Sequence, residues 1–261
     1  VTTSLTDPRT DFEVNLLGAI NVLEAARRDR TPVIFASTNK VYGDLGDIEL
    51  TMEDGAWLPA DAALRRKGVD ERRPLDFHTP YGCSKGAADQ YVLDYARSFD
   101  LPTCVLRMSC IYGPRQMGTE DQGWVAHFLI RALEGRPITL YGDGRQVRDI
   151  LHVSDAVDAY VAAWRRIEAV RGNAFNLGGG PENAVSLRLL IAYIEQLVGK
   201  PVDLGFEDWR AGDQRYFVAD ASAARRALGL GRPIPWREGV AELADWLRVE
   251  RRLGARIGTA A

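Results

Sequence analysis

The chain has 261 residues, 46% of them hydrophobic and 26% charged, a composition that suits a globular protein with ample core. With 36 acidic and 33 basic side chains there is no global field to draw nucleic acid or an anionic membrane, and no stretch approaches the ~20 apolar residues of a membrane-spanning helix. Cys83, Cys104 and Cys110 are an odd number without a Cys-x-x-Cys, which argues against a disulfide framework or a zinc site and fits a reducing cytoplasm.

In chain order, residues 1–8 read as polar and turn-like, and 11–29 as a helix. Leu16, Leu17, Ile20 and Leu23 recur at near-helical spacing, with Asp11 in the first turn and Arg27 and Arg28 in the last. Residues 32–36 form a short apolar run suited to a strand buried on both faces. A long charged loop is expected over 43–78, then a helix over 81–99 and a strand over 103–108. After a loop over 110–121 come a helix at 123–133 and a strand at 138–141. Residues 149–153 suit a further strand, with Ser154 capping a helix over 155–167. A strand at 173–177 ends on Gly178, Gly179 and Gly180. Strands alternating with helices predict an α/β fold with a parallel sheet covered on both faces. Helices at 187–197, 221–228 and 236–248 predict a smaller, mostly helical lobe.

Ligands of open parallel sheets sit outside the carboxyl ends of the strands, and the residues suited to chemistry fall there. Tyr81 and Lys85 are four apart on one helical face, where an ammonium near a phenol favours the phenolate. Many amphipathic helices carry such a pair by accident, so the pattern alone decides nothing. Thr38, at the end of the strand over 32–36, can donate and accept at once and so bridge a reacting oxygen and Tyr81; Ser37-Thr38 can equally be a turn. Arg148 and Arg215 offer planar forks suited to paired phosphate oxygens, or to ion pairs with nearby aspartates. Asn176, after an apolar strand, faces the cofactor or caps a turn. His127 on its own reads as a helix-face histidine.

The ordered segments Asn15-Leu16-Leu17-Gly18, Ser37-Thr38 with Val41-Tyr42-Gly43, Tyr81-Gly82-x-Ser84-Lys85, Arg107-Met108-Ser109 with Tyr112-Gly113-Pro114, Arg148-Asp149 with His152-Val153-x-Asp155, and Phe175-Asn176-Leu177-Gly178-Gly179 resemble the extended short-chain dehydrogenases/reductases. That group holds the NAD-dependent nucleotide-sugar epimerases and dehydratases. The resemblance implies a Rossmann-like, doubly wound domain over 1–180, with 110–142 contributing to the substrate pocket, and a nucleotide-sugar lobe over 181–261. It implies Thr38, Tyr81 and Lys85 as catalytic residues, and Ser37, Met108 and Ser109 beside Tyr81 and Lys85 at the NAD cofactor. Thr38, Cys110, Gln122, Arg148, Asn176 and Arg215 would contact the substrate, with no metal. The helices over 11–29 and 81–99 are those through which the family forms homo-oligomers.

Within the group the runs 36–44, 75–91 and 119–125 are most similar to the CDP-sugar 2-epimerases. The 4,6-dehydratases carry Asp-Glu directly after the catalytic threonine, as acid and base for eliminating water. Asn39 and Lys40 stand there in this chain, which favours epimerisation at carbon 2 of a CDP-linked hexose over dehydration. A nucleotide-sugar 4-epimerase is the alternative within the enzymes.

The family's opening strand, glycine-rich turn and helix, whose N-terminus holds the NAD pyrophosphate, have no counterpart in these residues. Gly178-Gly179-Gly180 follows a late strand and lacks the acidic residue required further on. The expectation is a piece of a longer enzyme, without its first three strands and with an apolar sheet edge at 33–36. A non-catalytic nucleotide-sugar-binding module is the competing expectation.

Overall fold

A computed structural model describes residues 2–250. The first residues are helical where a turn was expected: α1 (Thr2–Thr6) and α2 (Pro8–Phe12) lead through a π-helical turn, Glu13–Leu17, into α3 (Gly18–Asp29). Asp7 accepts from the Thr10 N–H and Pro8 opens α2, a start signal that the polar composition of this stretch obscures. Arg30, left-handed at φ 52°, ends α3.

Strand β1 (Val33–Thr38) follows. The expected loop over 43–78 is built up instead. Strands β2 (Leu50–Glu53) and β3 (Ala56–Pro59) form an antiparallel hairpin, and Asp61 caps the short α4 (Ala62–Lys67). The hairpin turns on Asp54 and Gly55, at φ 49° and 74°, the two positive values that a tight hairpin turn demands. The Asp-Gly signal was present in the sequence, but the exposed Met52 and Glu53 leave β2 little apolar alternation to read.

Helix α5 (Thr79–Ser98) and strand β4 (Thr103–Met108) match their expected spans closely. The expected loop over 110–121 begins as strand β5 (Cys110–Tyr112), before α6 (Trp124–Glu134), β6 (Ile138–Tyr141) and β7 (Val147–His152). Helix α7 (Val153–Arg165) is capped by His152, whose Nδ1 accepts from the Ser154 N–H, rather than by Ser154 itself. Then come α8 (Ile167–Val170), β8 (Asn173–Leu177), β9 (Ala184–Ser186), α9 (Leu187–Val198), β10 (Leu204–Glu207), β11 (Tyr216–Phe217), α10 (Ser222–Leu228) and α11 (Trp236–Glu250).

Strands β1, β4 and β8 make a parallel sheet in that order, so β1 has one strand neighbour among the described residues. Alternation along β4 sends Val105 toward α3 and α5, where it meets Leu23, Val92 and Leu101, and sends Cys104 and Leu106 toward α7 and α10. The sheet is thus covered on both faces. In a second sheet β7 lies between β5 and β11, with β9 also on β7, while β6 pairs with β10. Helices α6, α9 and α11 enclose the largest core around Leu129, Leu140, Leu190 and Leu243. The β2–β3 hairpin packs Leu50 and Leu58 on Val147, Tyr216 and Val218, which joins the 43–78 segment to the second sheet.

Candidate active site

The carboxyl end of β1 delivers Thr38 into a 3-10 turn, Asn39–Tyr42, while α5 brings Tyr81 against it. Pro80 pre-sets the first turn of α5, and Thr79 just before it lies at φ 63°. A β-branched residue in the left-handed region costs of order 1–3 kcal/mol, strain of a kind that collects at functional sites. The Thr38 hydroxyl lies close enough to the Tyr81 phenol to act on its protonation, and within its own turn it donates to Asn39 Oδ1 at 3.3 Å and accepts from the Lys40 N–H at 3.2 Å. Burial pushes the phenol up from its ordinary value and the Asp11 carboxylate adds to this, while the nearby Thr38 hydroxyl draws it down.

Lys85 departs from its sequence expectation. Its Nζ donates to the Ala36 carbonyl at 2.5 Å and lies 4.3 Å from the centre of the Phe35 ring. Burial lowers its basicity, against the pull of Asp89 and Asp11. Helical spacing brings Cβ atoms together, but four flexible carbons carry this ammonium to the strand, and Tyr81 is raised rather than depressed. Between the two, Ser84 donates to Asp11 at 2.5 Å, and Asn15 donates to both Asp11 and Ser84 at 3.1 Å. That closed ring ties the π-helical turn to the Tyr81–Lys85 turn.

Beneath them, Ser37, Arg107 and Asn176 stand in register across the three strands. Arg107 grips Asp89 of α5 with two bonds of 2.9 Å, and Ser37 donates to the same carboxylate at 2.7 Å. Ser37 therefore faces the interior. Asn176, expected at the substrate, is fully buried: its Oδ1 accepts from Tyr42 at 2.7 Å and its Nδ2 donates to the Val69 carbonyl at 2.9 Å. Ser109 is similarly engaged, donating to the Asp149 carboxylate and carbonyl at 2.5 and 2.9 Å. The Met108 sulfur accepts from Tyr160 at 3.4 Å. These contacts make Ser37, Ser109 and Asn176 parts of the frame that holds the site.

A cavity of about 230 Å³ opens next to this frame, with Cys110, Trp124, His127, Tyr141 and Arg148 in its wall. Cys110 stands in that wall, its thiol pushed up by burial. Arg148 is buried, donating to Asp213 at 2.7 Å, to the Val147 carbonyl at 2.9 Å and to the Gln214 carbonyl. Gln122 is exposed just before α6 and does not line the cavity. Arg215 does not line it either: the exposed guanidinium sits 5.5 Å from the Trp57 ring and 5.4 Å from that of Trp209. Sequence reasoning missed Lys40, Arg210 and Asp213 as wall residues. Lys40 stands two residues after Thr38, so its place was legible; Asp213 is brought in only by the fold.

Residues 1–178 match the family described as the NAD dependent epimerase/dehydratase family. The chain belongs to that family. It is 43% identical over 255 residues to CDP-paratose 2-epimerase of Salmonella typhi, covering 94% of this chain and 74% of that protein. It is 33% identical over 247 residues to UDP-glucose 4-epimerase of Mycolicibacterium smegmatis, covering 94% and 72% of the two. Among solved structures, UDP-glucose 4-epimerase of Thermotoga maritima with UDP-glucose superposes with a TM-score of 0.81 at 26% identity, over 96% of this chain and 74% of that one. UDP-glucose 4-epimerase of Thermus thermophilus in complex with NAD gives 0.78 at 30% identity, over 94% and 73%.

For a member of the NAD dependent epimerase/dehydratase family, the residues present fit one end of the cofactor. Tyr81 and Lys85, a phenol and an ammonium, stand near the carboxyl end of β1, Lys85 through its bond to the Ala36 carbonyl, and can donate to hydroxyls of a ligand there. A glycine-rich turn is another matter. Gly180 precedes only a three-residue 3-10 helix, Pro181–Asn183, and its N–H donates to the Asp149 carboxylate at 3.0 Å. A Cβ on Gly178 would collide with the Asp149 carboxylate, so this triplet allows close packing inside the protein.

Proposed function

We propose that this chain is the catalytic and substrate-binding part of an NAD-dependent epimerase that acts at carbon 2 of a CDP-linked hexose. The observation that carries the reading is the placing of Thr38 beside Tyr81 at the end of β1, followed directly by Asn39 and Lys40 instead of a carboxylate pair. Similarity to a CDP-paratose 2-epimerase supports the base and the carbon. Residues 1–180 supply the Rossmann-like domain and 181–261 the nucleotide-sugar lobe, of which 251–261 lie outside the described residues, with 110–142 in the pocket.

Tyr81 as phenolate takes the proton from the sugar hydroxyl, and Thr38 donates to the oxygen that becomes the carbonyl. NAD, when bound, supplies the oxidation of that carbon and its re-reduction. The trigonal carbon has two faces, and a turn of the sugar in the cavity presents the second. Tyr81 then returns its proton to the reformed hydroxyl. Lys85 holds the ribose and Arg148 the diphosphate, while Asn39, which cannot titrate, and Lys40, a cation, leave no base beside Thr38 to eliminate water. The exposed Val14, Val22 and Tyr91, on the helices at the site's back, suit a homo-oligomer. The three free thiols suit a reducing cytoplasm.

Tyr81→Phe in the full-length enzyme tests this: epimerisation of a CDP-hexose should fall by about 10²- to 10⁴-fold with substrate binding retained. Turnover equal to wild type would sink the assignment. A second reading, a nucleotide-sugar-binding module without catalysis, draws on the Tyr81 phenol, which burial raises from its ordinary value. Denaturing the purified 261-residue chain and assaying released NAD separates them. Stoichiometric NAD refutes the module.

A further inference from the structure

Lys40 runs from the 3-10 turn after Thr38 to the cavity wall, where its Nζ donates to the Gly212 carbonyl at 3.1 Å and lies 3.5 Å from Asp213 Oδ1. That same oxygen accepts from Arg148 at 2.7 Å and from the Gln214 N–H at 3.1 Å. One carboxylate oxygen thus serves two cations. A lysine drawn into the interior is costly without a partner of its own, and here burial and the Arg148 charge both lower its basicity, with Asp213 only partly offsetting them. Asp213 in turn is held below the usual carboxylate range by Arg148 and Lys40, in spite of a burial that would raise it. The other charged groups of the cavity engage one another. Glu120 accepts from Tyr141 at 2.7 Å, and Arg210 lies 3.5 Å from Asp121 and 3.8 Å from the Tyr141 ring centre. Two cations sharing one anion at a partly desolvated wall make a place where a further anion restores the balance.

We propose that Lys40 is a ligand-contacting residue which, together with Arg148, receives the diphosphate of the nucleotide sugar, and that Asp213 aims the two cations into the cavity. The proposal rests on the nucleotide-sugar reading of this site and adds a binding residue to it. The position directly after Thr38-Asn39 then does two things at once. It removes a carboxylate that would repel the diphosphate, and it puts a point charge in the same cavity wall as Arg148.

The test is calorimetric titration of the 261-residue chain, wild type, Lys40→Met and Lys40→Arg, with CDP and with CMP. Lys40→Met should weaken CDP by about tenfold or more, as expected for a lost hydrogen bond to a charged group, while the loss for CMP is smaller. Lys40→Arg, which keeps the charge, should recover most of the CDP affinity. Unchanged CDP affinity in Lys40→Met overturns the proposal, and so does an equal loss for CDP and CMP, which would mark an effect on the fold. A wild-type chain that binds neither nucleotide overturns the nucleotide-sugar reading itself, an outcome distinct from a failure of Lys40 alone.

Discussion

The Asn39 amide donates to the Gln214 side-chain oxygen at 3.0 Å, across 175 positions of the chain. Both residues are buried, and Gln214 passes the connection on by donating to the Gly43 carbonyl at 2.6 Å. With Lys40 on Asp213, two consecutive residues after Thr38 are matched by two consecutive residues of the distant 212–214 segment. The turn that carries the threonine is therefore fixed by the far end of the chain.

Gln214→Ala leaves the Asn39 amide without its acceptor, and Asn39→Ala leaves the Gln214 oxygen without its donor. Each should cost about 1–3 kcal/mol in urea unfolding, the penalty of a buried polar group left unpaired. The double mutant should lose clearly less than the sum of the two. Strict additivity would count against the interlock.

The pH dependence of activity should move in opposite directions in two variants. The proposed reaction uses the phenolate, so its rate should rise as pH passes upward through the Tyr81 pKa. Asp11 helps to raise that pKa, so Asp11→Asn should shift the acidic limb to lower pH; Thr38 lowers it, so Thr38→Val should shift the limb to higher pH. Spectroscopic titration of the phenol checks the same signs without turnover. Shifts of the same sign would refute this electrostatic account.

The Arg107–Asp89 pair is almost wholly buried and carries α5 on the sheet. Arg107→Met strands the Asp89 charge and should cost about 3–5 kcal/mol, whereas Ser37→Ala, which removes a single hydrogen bond to Asp89, should cost about 1 kcal/mol. Denaturation midpoints measure both. An Arg107→Met protein as stable as the Ser37→Ala one would disprove the role given to the pair.

Gly178→Ala drives a methyl into the buried Asp149 carboxylate and places it 3.0 Å from Ala219 Cβ. Overpacking of this kind costs about 1–3 kcal/mol. The loss should appear as a lower melting temperature of the chain with no cofactor added, since the glycine serves internal packing.

Val14 and Val22 are 67% and 57% exposed on the helical rod that packs against α5, with Tyr91 of α5 at 49%. A charge placed there should break a helix-to-helix association between copies. Val22→Glu is expected to sediment as a smaller species than wild type, with its far-ultraviolet circular dichroism unchanged. Identical sedimentation would remove this face from consideration.

Much of the site's chemistry was legible in order along the chain. Thr38, Tyr81 and Lys85 stand at the end of an apolar run and the start of a helix, and local patterning places such positions well because strand and helix periods are local properties. The π-turn, the β2–β3 hairpin and β5 were not legible. The first two hold several exposed or polar residues and β5 is only three residues long, and contacts far away in sequence hold all three: Asn15 to Ser84, Leu50 and Leu58 to Val147 and Tyr216, and Cys110–Tyr112 to the strand pairing of 150–152. Direction was also hidden. Ser37, Ser109 and Asn176 are polar residues at or beside strand ends, positions that suit ligand contact, yet each is turned onto a partner from another element.

The sequence by itself determined that this is an α/β protein with its reactive residues at the carboxyl ends of parallel strands, because burial periodicity and strand–helix alternation are written locally. It also determined that no carboxylate follows Thr38. Only the tertiary structure decided where the charges sit. Lys85 reaches the Ala36 carbonyl instead of Tyr81, Asp11 comes within reach of the phenol, and Asp213 arrives from the far end of the chain to be shared by Lys40 and Arg148. Electrostatics depends on distance through space and on burial, and neither is a property of spacing along a chain.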